Sequence, residues 1–338
     1  MDTTAVTTRP TPDGDRNALS ELRFEQTVPR SLVHRSAVNE VFLTDAAVIG
    51  KREWAVAAML PRSHMLFNDG GNPDYLDTIA IMEVTRQVTE YVAHEFVNVP
   101  DNQFLVFRDM RIDVFAPERL RTGPDPARVV TIVNARTSEG LAKHPVTIIV
   151  DGNECARAGG RWLPLPLHYY EYIRQRARTK TLARDHEPVR AVAPEAMLAP
   201  ERVGRQHPKN VLLAEGAATA DSGMTFLLTF DPAHPFFFDH PMDHVPGMLM
   251  LEAARQACLA TLVEHRGAAA HRCLIVGCDV DFGNFCEPDL RTRCHAAVDE
   301  TTSAGAGSAR HRVRVGFEQA GESLGAITLD VLDESGSG

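Results

Sequence analysis

Six cysteines, two tryptophans and no apolar run of membrane-spanning length mark what this 338-residue sequence has little of or lacks. So few cysteines exclude a disulfide-dense secreted scaffold. Cys273, Cys278, Cys286 and Cys294 lack the paired spacing of a zinc site and fall in strand-like runs where a small apolar residue fits, so no metal is expected. No membrane span is expected either. No GxGxxG or Walker pattern points to a nucleotide, and no GxSxG elbow points to a serine hydrolase. A net charge of −10 argues against nonspecific nucleic-acid binding, which needs positive surface. The N-terminal stretch MDTTAVTTRPTPDGDRNALS has no apolar core, so it reads as a polar tail rather than a signal peptide. The cysteines are accordingly expected to be reduced and the chain cytoplasmic. With 44% hydrophobic and 24% charged residues, the remainder reads as soluble and globular.

What is present centres on His234 to Gln256, HPFFFDHPMDHVPGMLMLEAARQ. Aromatics and histidines lead through Pro246-Gly247 into an apolar helix. On it Glu252, Arg255 and Gln256 stand at i, i+3 and i+4 and share one face. Met248, Leu249, Met250, Leu251, Ala253 and Ala254 surround that face, so it is expected to be buried. A buried Glu and Arg are costly unless paired or functional.

The same pattern occurs earlier. LPRSHMLFND before IMEVTRQVTEYVAH parallels FDPAHPFFFD before MLEAARQACLATLVEH. His64 matches His234, and Glu83, Arg86 and Gln87 match Glu252, Arg255 and Gln256 at nearly constant offset. Strand-like runs, a helix and further strands surround each copy, so the chain reads as a duplicated antiparallel α+β unit packed as a pseudo-dimer. The expected division is a disordered tail over 1–22, a first domain over 23–158, an Arg/Pro-rich connecting segment over 159–206 and a second domain over 207–333. Strands are expected from Val33 to Leu60, before the first helix.

The second copy resembles the hotdog-fold dehydratases of fatty acid synthesis through Pro235-Phe236-Phe237, His240-Pro241, Pro246-Gly247-Met248-Leu249, Glu252-Ala253 and Gln256. The Arg-Gln pair after each Glu, the duplication, and VHRSAVNEVFLTD (33–45) with LPRSH (60–64) resemble the narrower AfsA-type family of A-factor (γ-butyrolactone) biosynthesis enzymes. The resemblance implies a tandem (double) hotdog, with two antiparallel sheets each wrapped around a long central helix. It also implies an acyltransferase that joins a β-ketoacyl group, carried on acyl carrier protein, to dihydroxyacetone phosphate, on the way to a butyrolactone, furan or butenolide signal. No cofactor is then expected beyond the carrier's phosphopantetheine arm. A dehydratase or thioesterase is the alternative on the same fold, and an acyl-ligand sensor is the non-enzymatic one.

Acyl transfer to an alcohol needs a base, oxyanion donors and exclusion of water. Glu83 and Glu252 on buried helices suit the base, since desolvation raises a carboxyl pKa. The backbone N–H groups near Gly247 and Met248 suit the oxyanion. Arg86 or Arg255, with Gln87 and Gln256 beside them, suits the phosphate. In hotdog dehydratases the loop His and the helix carboxylate come from opposite subunits. The resemblance therefore implies that His240 faces Glu83, whereas the first copy has Gly70 or Gly71 in place of His240. His64 and His234 are further catalytic candidates, the alternative being that they brace tight loops. The Glu–Arg pairs have their own alternative, ion pairs that close a duplicated core. Arg174, Arg176, Arg178, Lys180 and Arg184 form a basic segment suited to docking an acidic carrier protein, the alternative being a solvated helix face.

Overall fold

The computed structural model describes residues 17–100, 102–135, 146–216, 223–305 and 307–336. After a short helix α1 (Asn17–Ser20), the first half contains β1 (Leu43–Gly50), β2 (Glu53–Leu60), helix α2 (Thr78–Glu95), β3 (Gln103–Val114), β4 (Ala127–Asn134), β5 (Val146–Val150) and β6 (Asn153–Pro166). Helix α3 (Leu167–Leu182) leads to the second half, with β7 (Leu213–Ala214), β8 (Gly223–Leu228), α4 (Gly247–Arg266), β9 (Cys273–Phe282), β10 (Thr292–Gly305), β11 (Ser308–Gln319) and β12 (Glu322–Asp333).

The strands form one antiparallel sheet in the order β1-β2-β4-β5-β6-β3-β9-β12-β11-β10-β8-β7. Read outward from its centre, β3-β6-β5-β4-β2-β1 is answered by β9-β12-β11-β10-β8-β7. The two six-stranded sheets therefore meet edge to edge, with β3 pairing β9 from Asp109↔Asp281 to Asp113↔Gly277. This double hotdog closes what would otherwise be an exposed edge on each half. Along β4 and β11 burial alternates, as one buried face requires.

Helices α2 and α4 pack against the sheet. Both are buried around most of their circumference, so apolar residues appear on all sides rather than along one stripe. The Asp77 side chain caps α2 by accepting from Ile79 N at 2.8 Å. Helix α4 follows Pro246 and ends at Gly267, whose φ of +66° suits a left-handed cap. Among the described residues no helix is long and apolar enough to cross a membrane.

Several expected boundaries move. Residues 1–16 of the expected tail lie outside the described residues. From Asn17 onward the chain is built in: Leu22 is buried against Ala55 and Ala57. The run from Val33 towards Leu43 is not a strand but two 3-10 turns, Arg30–Val33 and Val38–Glu40. The connecting segment expected from residue 159 starts inside β6. There Gly159, Gly160, Pro164 and Pro166 break the apolar alternation that marks a strand. Gly160 sits where a Cβ would lie 2.5 Å from Asp109 O, so the close approach to β3 requires glycine. The other end of that segment belongs to the second half, since Arg205 packs under α4.

Candidate active site

Two clusters, related by the internal repeat, lie where each central helix meets loops from both halves. In the first, the Glu83 carboxylate is fully buried. It accepts from Arg35 Nη2 at 2.7 Å, from Arg86 Nε at 2.8 Å and Nη2 at 2.7 Å, and from Gln87 Nε2 at 2.7 Å. In the second, Glu252 accepts from Arg205 Nε at 2.9 Å, Arg255 Nε at 3.0 Å and Nη2 at 2.8 Å, and Gln256 Nε2 at 2.5 Å. Each Gln also ties its helix to the preceding turn. Gln87 Oε1 accepts from Phe42 N, and Gln256 Oε1 from Leu212 N.

Arg35 and Arg205 stitch the halves together. Arg35 Nη1 donates to Phe236 O in the second half at 3.0 Å, and Arg205 Nη1 donates to Leu66 O in the first. The Asp239 carboxylate accepts from Ser36 N and Ala37 N, and that of Asp69 from His207 N. Sequence reasoning missed both arginines. Their signal was the repeat itself, RSAVNEVFL against RQHPKNVLL, in which Arg35 and Arg205 stand at the same offset as His64 and His234.

These contacts reverse the expected charge behaviour of the glutamates. Burial alone pushes the Glu83 carboxyl up, but the guanidiniums of Arg35 and Arg86 outweigh it and hold the group at about 2. Burial and the Arg205 and Arg255 guanidiniums act on Glu252 in the same way, again leaving it at about 2. Both are permanent anions at neutral pH and poor bases, so the expectation of a raised carboxyl pKa is corrected. The nitrogen edges that Arg86 and Arg255 would offer a phosphate face these carboxylates instead. Arg86 Nη1 is further held by Glu90 at 2.6 Å, while Arg255 Nη1 lies 3.8 Å from Asp77. Burial lifts the Glu90 carboxyl to about 7, its single guanidinium nitrogen from Arg86 notwithstanding. Gly247 and Met248 begin α4, where a Cβ on Gly247 would meet the Phe282 ring, and make no hydrogen bond to either cluster.

His64 and His234 turn out to be braces. His64 Nδ1 accepts from Leu66 N and Phe67 N, and its Nε2 lies 3.0 Å from Glu40 Oε2. His234 Nδ1 accepts from Phe236 N and Phe237 N, and its Nε2 donates to Asn210 Oδ1 at 3.0 Å. An Nδ1 that accepts backbone N–H is unprotonated, which fixes the Nε2–H tautomer in each. With both nitrogens engaged, neither ring is available to a substrate proton, and their catalytic assignment is withdrawn.

His240 differs. Its side chain is 37% exposed while the adjacent Asp239 side chain is 3% exposed. It lines a cleft of about 770 Å³ bounded by residues 189–192, the end of β8 and residues 238–242. Burial, then the positive fields of Arg35 and Arg86, push its pKa below the ordinary histidine value. It is therefore neutral at physiological pH, although the Asp239 carboxylate, 3.7 Å from its Nδ1, acts in the opposite direction. The other half has no equivalent. Gly70 occupies the matching position with φ of +96°, and a Cβ there would lie 2.6 Å from Gly204 O. Gly71 N donates to Gly204 O at 2.8 Å. That close backbone contact excludes a histidine, so the two pseudo-symmetric sites are chemically unequal.

Four of the five cations of the basic segment lie on α3 and Arg184 follows it, and three of the five are committed within the fold. Arg174 is buried and donates to Glu287 Oε1 at 2.6 Å, Arg178 bridges Glu287 and Asp289, and Arg184 pairs with Glu322. As a carrier-docking patch it is reduced to Arg176 and Lys180, both exposed. The described residues contain no group of three or more His, Cys, Asp or Glu placed to hold a metal.

Residues 18–166 and 187–332 match the family model AfsA, the A-factor biosynthesis hotdog domain. A 2-oxo-3-(phosphooxy)propyl 3-oxoalkanoate synthase from Streptomyces virginiae is 34% identical over 242 residues, covering 69% of this chain and 76% of the relative. A synthase of the same name from Streptomyces coelicolor is 29% identical over 242 residues, covering 70% and 74%. Among solved structures, the dehydratase domain of RzxB from Pseudomonas fluorescens superposes with a TM-score of 0.50 at 13% identity, covering 89% of this chain and 98% of that one. At that identity the likeness concerns the fold alone.

Proposed function

Given that the chain belongs to the AfsA family of A-factor biosynthesis hotdog proteins, we propose that it is an acyltransferase condensing a β-ketoacyl thioester with the hydroxyl of dihydroxyacetone phosphate. The product is the phosphorylated β-ketoacyl ester, the first committed intermediate of a γ-butyrolactone-type, furan or butenolide signal. Acyl carrier protein delivers the acyl group on its phosphopantetheine arm, and the thioester is activated enough to need no other cofactor.

The observation that carries this reading is a neutral, half-exposed His240 beside a cluster whose glutamate is locked as an anion. His240 takes the proton of the acceptor hydroxyl as that oxygen attacks the thioester carbonyl. The new C–O bond forms and the C–S bond breaks. The departing thiolate then recovers the proton from His240, so the ring ends neutral. Arg35 and Arg86 supply a fixed positive field for the negative charge that develops. A hydro-lyase needs a protonated acid for the departing hydroxyl, and a Glu83 held at about 2 does not carry that proton. Incubation with β-ketoacyl-carrier protein and dihydroxyacetone phosphate is expected to give the phosphorylated ester by mass spectrometry. Free β-keto acid without that ester, or water loss from a 3-hydroxyacyl thioester in a parallel incubation with no ester in the first, would refute the acyltransferase.

With Arg86 and Arg255 committed to their glutamates, the phosphate needs another cation. Arg190 is exposed, lines the same cleft as His240 and makes no ion pair among the described residues. Arg190→Met is expected to raise KM for dihydroxyacetone phosphate about tenfold, the scale of one charge-assisted hydrogen bond. For unphosphorylated dihydroxyacetone the wild type and the variant are expected to agree. Equal effects on both acceptors would remove Arg190 from phosphate recognition.

A further inference from the structure

We propose that the cleft between the connecting segment and the second half is the acyl-chain site, holding the alkyl tail of the β-ketoacyl thioester with its carbonyl against His240. The inference rests on the acyltransferase reading and adds where the chain lies and which side chains set its length.

At about 770 Å³ the cleft has the size of a small-molecule site. Its walls are mainly apolar: Val189 and Val192 from the connecting segment, Leu228 and Phe230 at the end of β8, Phe238 and Met242 from the loop that carries His240. Four ionisable side chains line it: Arg190, Asp239, His240 and Arg291. Two of these are already satisfied. Asp239 accepts from Ser36 N and Ala37 N, and Arg291 pairs with Glu187. An alkyl chain along the walls therefore displaces no bound partner from a charge, and the reactive histidine belongs to the same surface.

The connecting segment is fixed as a wall rather than draped across. Val189 N donates to Asp289 O at 2.9 Å, Arg291 N donates to Glu187 O at 2.8 Å, and Pro188 bridges Leu290. Residues 187–189 thus run as an added edge beside 289–291, and Ala191 and Met242 face the cleft from different sides. An apolar slot with a fixed far wall gains affinity with each methylene it covers, about fourfold per CH₂, until the chain meets the end.

The test compares wild type with Met242→Trp and Ala191→Trp, two independent loop positions. β-Ketohexanoyl and β-ketododecanoyl thioesters of acyl carrier protein serve as substrates, and non-reactive thioether analogues of both serve for calorimetric binding. Wild type is expected to prefer the longer chain in kcat/KM and in binding. Both variants are expected to lower the long-to-short ratio at least tenfold by both readouts. Ester formation with the ratio unchanged in both variants would overturn the cleft assignment and leave the acyltransferase reading intact. Chain-length-dependent thioether binding that the variants abolish, without ester from any substrate, would sink the acyltransferase reading and support the cleft as an acyl site.

Discussion

His240→Ala is expected to cut condensation by about a hundredfold to ten-thousandfold while leaving the fold intact. The ring is half-exposed at the cleft and anchors no backbone, in contrast to His64 and His234, whose Nδ1 atoms hold loop N–H groups. Its value lies in being neutral beside two guanidiniums. Burial and the fields of Arg35 and Arg86 lower its pKa, so at physiological pH it accepts a proton rather than carrying one. The same fields then oppose the imidazolium that forms, which speeds return of the proton to the leaving thiolate. His64→Ala provides the contrast: it removes a loop brace, and its loss of activity is expected to track a loss of thermal stability. If His240→Ala condensed at the wild-type rate, the proton transfer would have to be assigned elsewhere.

Glu83→Gln and Glu252→Gln are expected to destabilise the fold by about 3–5 kcal/mol each, lowering the melting temperature by roughly 10 °C. Glutamine keeps the shape and removes the charge that balances two arginines, buried Arg35 with partly buried Arg86 or buried Arg205 with buried Arg255. Because Arg35 and Arg205 also reach the other half, the damage falls on the packing of the pseudo-dimer and not on a single helix. The two substitutions are expected to cost alike, since the clusters repeat; the inequality of the two sites resides in His240 and Gly70. The acid dependence follows in sign. Both carboxyls sit near 2 in the fold against an ordinary 4.5, so their stabilisation is present above the ordinary value and is lost as pH falls through that value towards 2. Each variant is expected to lose its share of that acid sensitivity. Activity lost at an unchanged melting temperature would instead mark the carboxylate as a participant in chemistry.

The duplicated Glu-x-x-Arg-Gln helix was legible because helical spacing puts its residues on one face, and repetition at nearly constant offset singled them out. From it the duplicated pseudo-dimer followed, and the family resemblance it carries implied the double hotdog. The arginines that complete each cluster were harder to see. Arg35 and Arg205 sit beside 3-10 turns, where no apolar period frames them, and only the repeat offset connects them. That omission also reversed the charge behaviour of Glu83 and Glu252. Burial is visible in a local sequence and predicts a raised carboxyl pKa, whereas a guanidinium arriving from 48 residues away, as Arg35 does at Glu83, is not. For the same reason α3 read as a free basic face. Its partners Glu287 and Asp289 lie more than a hundred residues downstream. The boundary expected at residue 159 falls inside β6 because the glycines and prolines that let it approach β3 are those that ordinarily end a strand.

The pH dependence of condensation kcat/KM between roughly pH 4 and 8 tests the division of labour most directly, since it reports the essential base of the free enzyme. Wild type is expected to rise along a limb set by a group titrating below the ordinary histidine value of 6.5. The limb is expected to vanish in His240→Gln and to persist in Glu90→Gln, which removes the other near-neutral group of that cluster. An acid limb that survives unchanged in His240→Gln would contradict the assignment of the proton to His240 and of the glutamates to structure.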